Sequence, residues 1–366
     1  MLIDLEPRGS STTVRAANTQ RVLDVLRSRA HEWLPVRALS EISGISRPTV
    51  ARVCEALVAA GWASLAEGVS QGVGRPAREY RFRSDLRSLA AVLLTPSSVS
   101  LRISDLSGRE MAAAKRTAQT LSCPSAAAEF IADLVRATVR EHEVETQDPA
   151  VLTVSVPFLV DPGGSILSSQ AGPAWEGHTL LQALGEALPL TQVILANNSR
   201  LAAEAELNHG VLRGADSAVY LYPGPGYEPS MIVHGSGYGG AHGAAGAGGL
   251  VPVIPRLEGG LTLEDLVNQF EAGDAQAGER LSLLLERSAT GVALLVSAFD
   301  PQFVVLGGAL SRVFEEAEPG LVAAFREILR YPPMVIGGSL EREQAILLGG
   351  IDRALAAMDL EHIARH

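Results

Sequence analysis

The chain has 366 residues, 47% of them hydrophobic, with a net charge of −11 and two cysteines. That length calls for two or three packing units, and the apolar content is ample for their cores. Cys54 and Cys123 are too few for a disulfide framework or a cysteine-rich metal site. No apolar run is expected to reach bilayer-spanning length, and Met1–Arg8 lacks a signal-peptide pattern, so a cytoplasmic protein without membrane contact is expected.

In chain order, residues 1–13 are polar and capless and read as a disordered arm. From Asn18 a helical pattern begins, carried by Val22, Leu23, Val25 and Leu26. Pro35–Trp62 then reads as two helices around a tight turn. Leu39, Ile42 and Ile45 form the inward face of the first helix and turn. Val50, Val53, Leu57 and Val58 recur at helical spacing in the second, with Cys54 beside them as a buried small hydrophobe. Gly44 suits a left-handed helix end, Ser46 an N-cap and Pro48 a first turn. Arg47, Thr49 and Arg52 are left opposite the apolar stripe near the helix start, where a recognition helix touches DNA. A plain helical hairpin has the same periodicity.

After Trp62, two short segments flank a Gly-rich loop and read as a hairpin wing, with Gly74-Arg75-Pro76 in the loop. Arg75, held extended by Pro76, and Arg78 are expected to face the minor groove or phosphates. Between Val14 and Arg83, eleven arginines oppose six carboxylates, leaving about −16 on the remainder. A small basic module on a large acidic body suits a protein that binds DNA through one end.

From Ser88 the composition changes. Strands are expected at Leu89–Leu94 and Val99–Ile103, with Asp105–Gly108 as a hairpin turn. A helix near Ser125–His142 and a buried strand Val151–Val156 follow. Next come a helix over Thr179–Leu188, a strand over Gln192–Ala196 and a helix over Ser199–His209. Strands Ser217–Tyr222 and Ser230–Val233 precede a Gly-rich stretch, Gly235–Gly249. Helices Leu263–Phe270 and Ala277–Phe299 lead to strand Phe303–Leu306 and Gly307-Gly308. Helix Leu321–Leu329, strand Met334–Ile336 and helix Ala345–Met358 complete the chain. Strand hairpins mixed with long helices, twice over, describe a two-lobed α/β body.

The order of these elements resembles the ROK family of sugar kinases and sugar-responsive repressors. The resemblance rests on Asp105–Gly108, Val156-Pro157, Asp161–Gly164, Trp175-Glu-Gly177, Asn197–Glu206, Gly239–Gly246 and Asp300–Gly308. It covers about 19–358 and implies a winged helix–turn–helix over 14–85. An actin-like, ribonuclease-H-like body over 86–366 is implied to follow. Lobe one would span about 86–196 plus the C-terminal helix, and lobe two about 197–344.

The family's chemistry-bearing positions differ here. Phosphoryl transfer to a hydroxyl needs a carboxylate base and donors for phosphate. The family's catalytic Asp aligns with Asn198, and its first phosphate loop aligns with Leu93–Ser97, which lacks the carboxylate and glycine. The second aligns with Gly224–Ser230, where two prolines remove N–H donors and Glu228 adds negative charge. The zinc motif falls on Ala247–Leu250 with no cysteine nearby. His178, His234 and His242 match no ligand spacing, so neither a metal nor a cofactor is expected.

Asn197, Asn198, Trp175 and Glu176 are the residues the resemblance implies for an effector, a sugar or sugar derivative. The expected protein is thus a regulator, a repressor by resemblance, that binds a double-stranded operator as a homodimer or homotetramer and has no catalytic residues. A sugar kinase with an unusual site and a body serving only as an oligomerisation scaffold are the alternatives.

Overall fold

The computed structural model describes residues 11–67, 78–118, 121, 123–144, 148–168, 173–222, 229–246 and 261–358. The chain forms two compact units. One comprises 1–89 with 104–111 and 355–366; the other comprises 90–103 with 112–354.

The first unit begins with α1 (Ser11–Ser28), so 11–13, expected in the disordered arm, are helical, while 1–10 lie outside the described residues. β1 (Leu34–Pro35), α2 (Val36–Ser43), α3 (Arg47–Ala59), β2 (Ala63–Glu67) and β3 (Arg78–Phe82) follow. The strands form one sheet in the order β1-β3-β2. Both pairings are antiparallel, with Leu65 opposite Tyr80 and Glu67 opposite Arg78. Leu23, Leu26, Leu39, Val50, Cys54, Leu57, Tyr80 and Phe82 are buried in this unit.

Gly44 closes α2 at φ 69°, a conformation that costs a residue bearing Cβ. Ile42, expected to face inward, is 46% exposed, and Ser43 is buried in its place. Ser43 lies one turn from the buried Leu39 on the same face, and its hydroxyl is satisfied there by the Leu39 carbonyl at 2.6 Å.

A short 3-10 turn (Ser84–Leu86) leads into β4 (Ser88–Leu94). In the second unit, β4, β5 (Ser98–Asp105), β6 (Glu110–Thr117), α4 (Pro124–Glu141), β7 (Val151–Val156), β8 (Leu159–Val160) and β9 (Ile166–Ser168) come first. After a 3-10 turn at Pro173–Trp175 come α5 (Thr179–Ala187), β10 (Gln192–Asn197) and α6 (Asn198–His209). The first five-stranded sheet has the order β10-β7-β4-β5-β6, with β10 parallel to β7. β4 and β7 are buried throughout and read as continuous apolar or small runs, as central strands covered on both faces do.

The rest comprises β11 (Ala218–Leu221), β12 (Ser230–Val233), β13 (Ser236–Tyr238), α7 (Leu263–Glu271) and α8 (Ala275–Phe299). It ends with β14 (Phe303–Leu306), α9 (Ala309–Arg312), α10 (Phe314–Ile328), β15 (Met334–Gly337) and α11 (Arg342–Ala357). Its sheet has the order β13-β12-β11-β14-β15, with β11, β14 and β15 parallel. Each sheet has its own apolar core.

α10 starts seven residues before the expected Leu321 and carries Pro319 in its second turn, a residue that ordinarily ends or begins a helix. Contrary to the sequence reading, α8 is long and apolar enough to cross a membrane by length and composition. Half of that window is buried inside the protein, with Leu281, Leu284, Val292 and Val296 in the second core.

Two adjacent glycines of α11 set how this helix crosses the body. A Cβ on Gly349 would lie 2.0 Å from the Leu201 carbonyl oxygen of α6, and one on Gly350 would lie 2.7 Å from Ala91 Cβ of β4. α11 therefore approaches α6 on one side and the first sheet on the other at backbone distance.

Candidate functional site

In the first unit, α3 starts after Ser46, whose extended backbone suits an N-cap, and Pro48 occupies the first turn. The Ser46 hydroxyl meets Thr49 Oγ1 at 2.9 Å rather than a helix N–H. At 100° per residue, the stripe opposite Val50, Val53, Cys54 and Leu57 is Pro48, Arg52, Glu55 and Ala59. All four are exposed. Arg47 is exposed on one flank, and Thr49 is half-buried on the other.

The side chains sort the arginines that composition could only count. Arg29 and Arg37 pair with Glu32 and Glu41 at 3.3 and 2.8 Å. The Arg37 guanidinium, by hydrogen bond and charge, holds the Glu41 carboxyl below its usual range. Arg81 stacks 4.7 Å above the Trp33 ring, and Arg27 lies 5.7 Å from the centre of the Phe82 ring. Burial pushes the Arg27 pKa down. Arg78 Nη1 bonds Glu55 Oε1 at 2.9 Å. What remains at the start of α3 is Arg47 and Arg52, neither of them in an ion pair with another described residue.

Arg75 and the wing loop 68–77 lie outside the described residues. Glu55 went unnoticed in the sequence. Its spacing of three from Arg52 was the available signal, since that places both on one helical face.

In the second unit, the four residues expected around an effector have different environments. Asn197 caps α6: its Oδ1 accepts the Ser199 N–H at 2.9 Å and the Ser199 hydroxyl at 2.7 Å. Its amide donates to the Phe158 carbonyl at 3.0 Å. Asn198 is buried and accepts a hydrogen bond from the Ser155 hydroxyl of β7. Trp175 is only 4% exposed and packs against Phe158 with ring centres 6.0 Å apart, so it fills the first core rather than lining an open surface. Glu176 alone of the four is exposed.

The surroundings of α6 are closed by the chain itself. Ser199 Oγ meets Ser230 Oγ of β12 at 2.9 Å. Arg200 donates to the Gly243 carbonyl at 2.9 Å. A Cβ on Gly243 would lie 2.3 Å from the Val160 carbonyl oxygen, so the loop after β13 sits directly on the end of β8.

At the β4–β5 turn, where the family's first phosphate loop aligns, the Ser98 N–H is taken by Thr95 Oγ1 at 2.9 Å and the Thr95 N–H by the Ser98 carbonyl. Neither donor points outward to an anion. Of the second phosphate loop's counterpart, Gly224–Ser230, residues 224–228 lie outside the described residues while Ser230 opens β12; the zinc motif's counterpart, 247–250, also lies outside them.

Glu206, one turn from the end of α6, has no exposed surface. Its carboxylate accepts from the N–H groups of Ser339, Leu340 and Val211 at 2.7, 2.9 and 2.9 Å, and from the Ser339 hydroxyl at 2.9 Å. Gly210 and Gly338 stand against it because any Cβ there would collide with its oxygens. Near it, the Tyr220 ring fills the space over Gly307, where a Cβ would lie 2.1 Å from the ring. Burial pushes the Tyr220 hydroxyl pKa up. The Glu206 carboxylate thus ties α6 to the turn that follows it and to the loop after β15.

Residues 16–65 match the IclR helix-turn-helix domain, and residues 255–336 match the ROK family. The chain therefore joins an N-terminal helix–turn–helix domain to a ROK-family domain. Its fold resembles that of a solved ROK family transcriptional regulator, a homolog of the E. coli Mlc protein, with a TM-score of 0.74. That match covers 96% of this chain and 100% of the other at 15% identity. A ROK glucokinase from Streptomyces griseus, solved with glucose and AMPPNP, matches with a TM-score of 0.58 and 20% identity. It covers 74% of this chain and 100% of its own. An uncharacterized protein, y4fQ of Sinorhizobium fredii, is 25% identical over 293 residues, which are 74% of this chain and 73% of that protein.

Proposed function

We propose that this protein is a transcriptional regulator, a repressor, that reads an operator with α3. Arg47 and Arg52 would contact base edges and phosphates in the major groove, and Thr49 would line the groove wall. Arg75 would reach the adjacent minor groove. The observation that carries this reading is the start of α3, where two arginines stand without ion-pair partners among the described residues while neighbouring arginines are paired or stacked. A recognition helix contacting a handful of bases needs a second half-site for specificity, so the protein would act as a homodimer or homotetramer on a two-fold operator.

The body would not transfer phosphate. Asn198 cannot accept a proton at neutral pH, and two N–H groups of the β4–β5 turn, those of Thr95 and Ser98, are bonded internally. The internal bonding of Asn197, Asn198 and Trp175 supports a body whose cleft is largely self-filled. A sugar-type effector would engage exposed groups such as Glu176 and act by favouring one lobe arrangement.

Selection of duplexes from a random-sequence library, followed by gel shift, tests the DNA reading. Recovery of a two-fold motif is the expected result, and failure to enrich any sequence overturns it. ATP turnover measured across hexoses and amino sugars tests the body, and turnover abolished by Asn198→Ala would restore the kinase reading.

A further inference from the structure

The outward stripe of α3 poses an electrostatic problem. Glu55 sits in its middle, one turn beyond Arg52, where a carboxylate would repel DNA phosphates. Arg78 answers it from a different element. It opens β3, twenty-three residues along the chain, and its Nη1 bonds Glu55 Oε1 at 2.9 Å. Across the wing its backbone partner is Glu67, so a second carboxylate flanks the guanidinium on the same sheet face. Tyr80, two residues on and on that face, is buried and feels the α3 residues Cys54 and Glu55.

We infer that Arg78 is a positioning residue. It ties the first residue of β3 to the recognition helix, fixes the base of the wing, and cancels the charge of Glu55 on the side that meets DNA. This replaces the direct phosphate or minor-groove contact that the sequence suggests for Arg78. The inference rests on the DNA-binding reading above but is separable from it. Arg47 and Arg52 at the start of α3 supply the contacts, whereas the Arg78–Glu55 pair ties the start of β3 to α3.

Three variants decide it: Arg78→Ala, Glu55→Gln, and the charge exchange Glu55→Arg with Arg78→Glu. The DNA probe is a duplex recovered by the wild-type chain from a random library, with affinity followed over a salt series. Arg78→Ala is expected to weaken binding about threefold to fivefold, the scale of one exposed ion pair. The dependence of log Kd on log salt should stay unchanged, and the charge exchange should restore the affinity.

A slope smaller by about one would mean a lost phosphate contact and would overturn the inference. Unchanged affinity in Arg78→Ala would overturn it as well. Hydrogen exchange of the β2 and β3 amides in the free protein tests the brace without DNA. Arg78→Ala and Glu55→Gln should each speed exchange, and the charge exchange should reverse it. Exchange identical to wild type in both single variants would remove the brace, whereas a wild-type chain that binds no duplex would remove only the functional reading.

Discussion

Replacing Glu206 is the sharpest test of how the body is held. Glu206→Ala removes a fully buried acceptor shared by three backbone N–H groups, those of Ser339, Leu340 and Val211. An unsatisfied buried donor costs about 1–3 kcal/mol, so the variant should lose at least about 3 kcal/mol. Glu206→Gln keeps the shape. Its carbonyl oxygen can serve the Ser339 and Leu340 N–H groups, and its amide can donate to the Ser339 hydroxyl. That amide then faces the Val211 N–H, donor against donor, and the charge assistance is lost, for a cost of about 2–3 kcal/mol.

For a unit of this size each kcal/mol shifts the midpoint by about 2–4 °C. Calorimetry should therefore place Glu206→Ala at least about 6 °C below wild type, with Glu206→Gln between them. Urea denaturation with an unchanged m-value would attribute the loss to stability rather than to altered compactness. A Glu206→Ala variant within about 1 kcal/mol of wild type would refute the assigned hydrogen bonds, because losing a charged acceptor shared by three backbone N–H groups costs more than that.

Three further outcomes are expected. Arg52→Ala and Arg47→Ala should each weaken operator binding by about 1–3 kcal/mol, roughly fivefold to 150-fold, in a gel shift at fixed salt, and little effect from either would displace α3 as the reading helix. Gly349→Ala should destabilise by about 1–3 kcal/mol or more by thermal melt, since its Cβ would meet the Leu201 carbonyl oxygen at 2.0 Å and both partners are backbone.

The third concerns pH. Burial, opposed by Arg353 and Arg200, raises the Glu204 carboxyl above its ordinary 4.5. The folded state thus binds this proton more readily than the unfolded chain. Its contribution to stability is complete below the ordinary value and is lost as pH climbs through the raised one. Urea midpoints between about pH 4 and 8 should show Glu204→Gln gaining on wild type as pH rises, and parallel curves would refute the assignment.

Local chemistry determined much of this protein directly. The helical period around Leu39 to Leu57, the glycine that ends α2 and the proline that opens α3 specify a helix–turn–helix without reference to distant residues. Continuous apolar runs such as Val151–Val156 likewise announced central strands. The absence of a carboxylate at Asn198 was legible for the same reason, since an amide has no basic site wherever it lies.

Pairings across long sequence distances were decided only by the tertiary structure. Arg78 looks like a DNA ligand in the sequence because it follows the Gly-Arg-Pro stretch of a basic segment; its partner Glu55 comes from another element. Trp175 looks like a cleft residue until Phe158 covers it. Glu206 looks like one more surface acid of an amphipathic helix until the loop after β15 supplies two N–H groups and the Ser339 hydroxyl to its carboxylate and the turn after α6 supplies the Val211 N–H. A charge declares its sign in the sequence, but whether it meets solvent, DNA or an internal donor depends on which distant backbone folds against it.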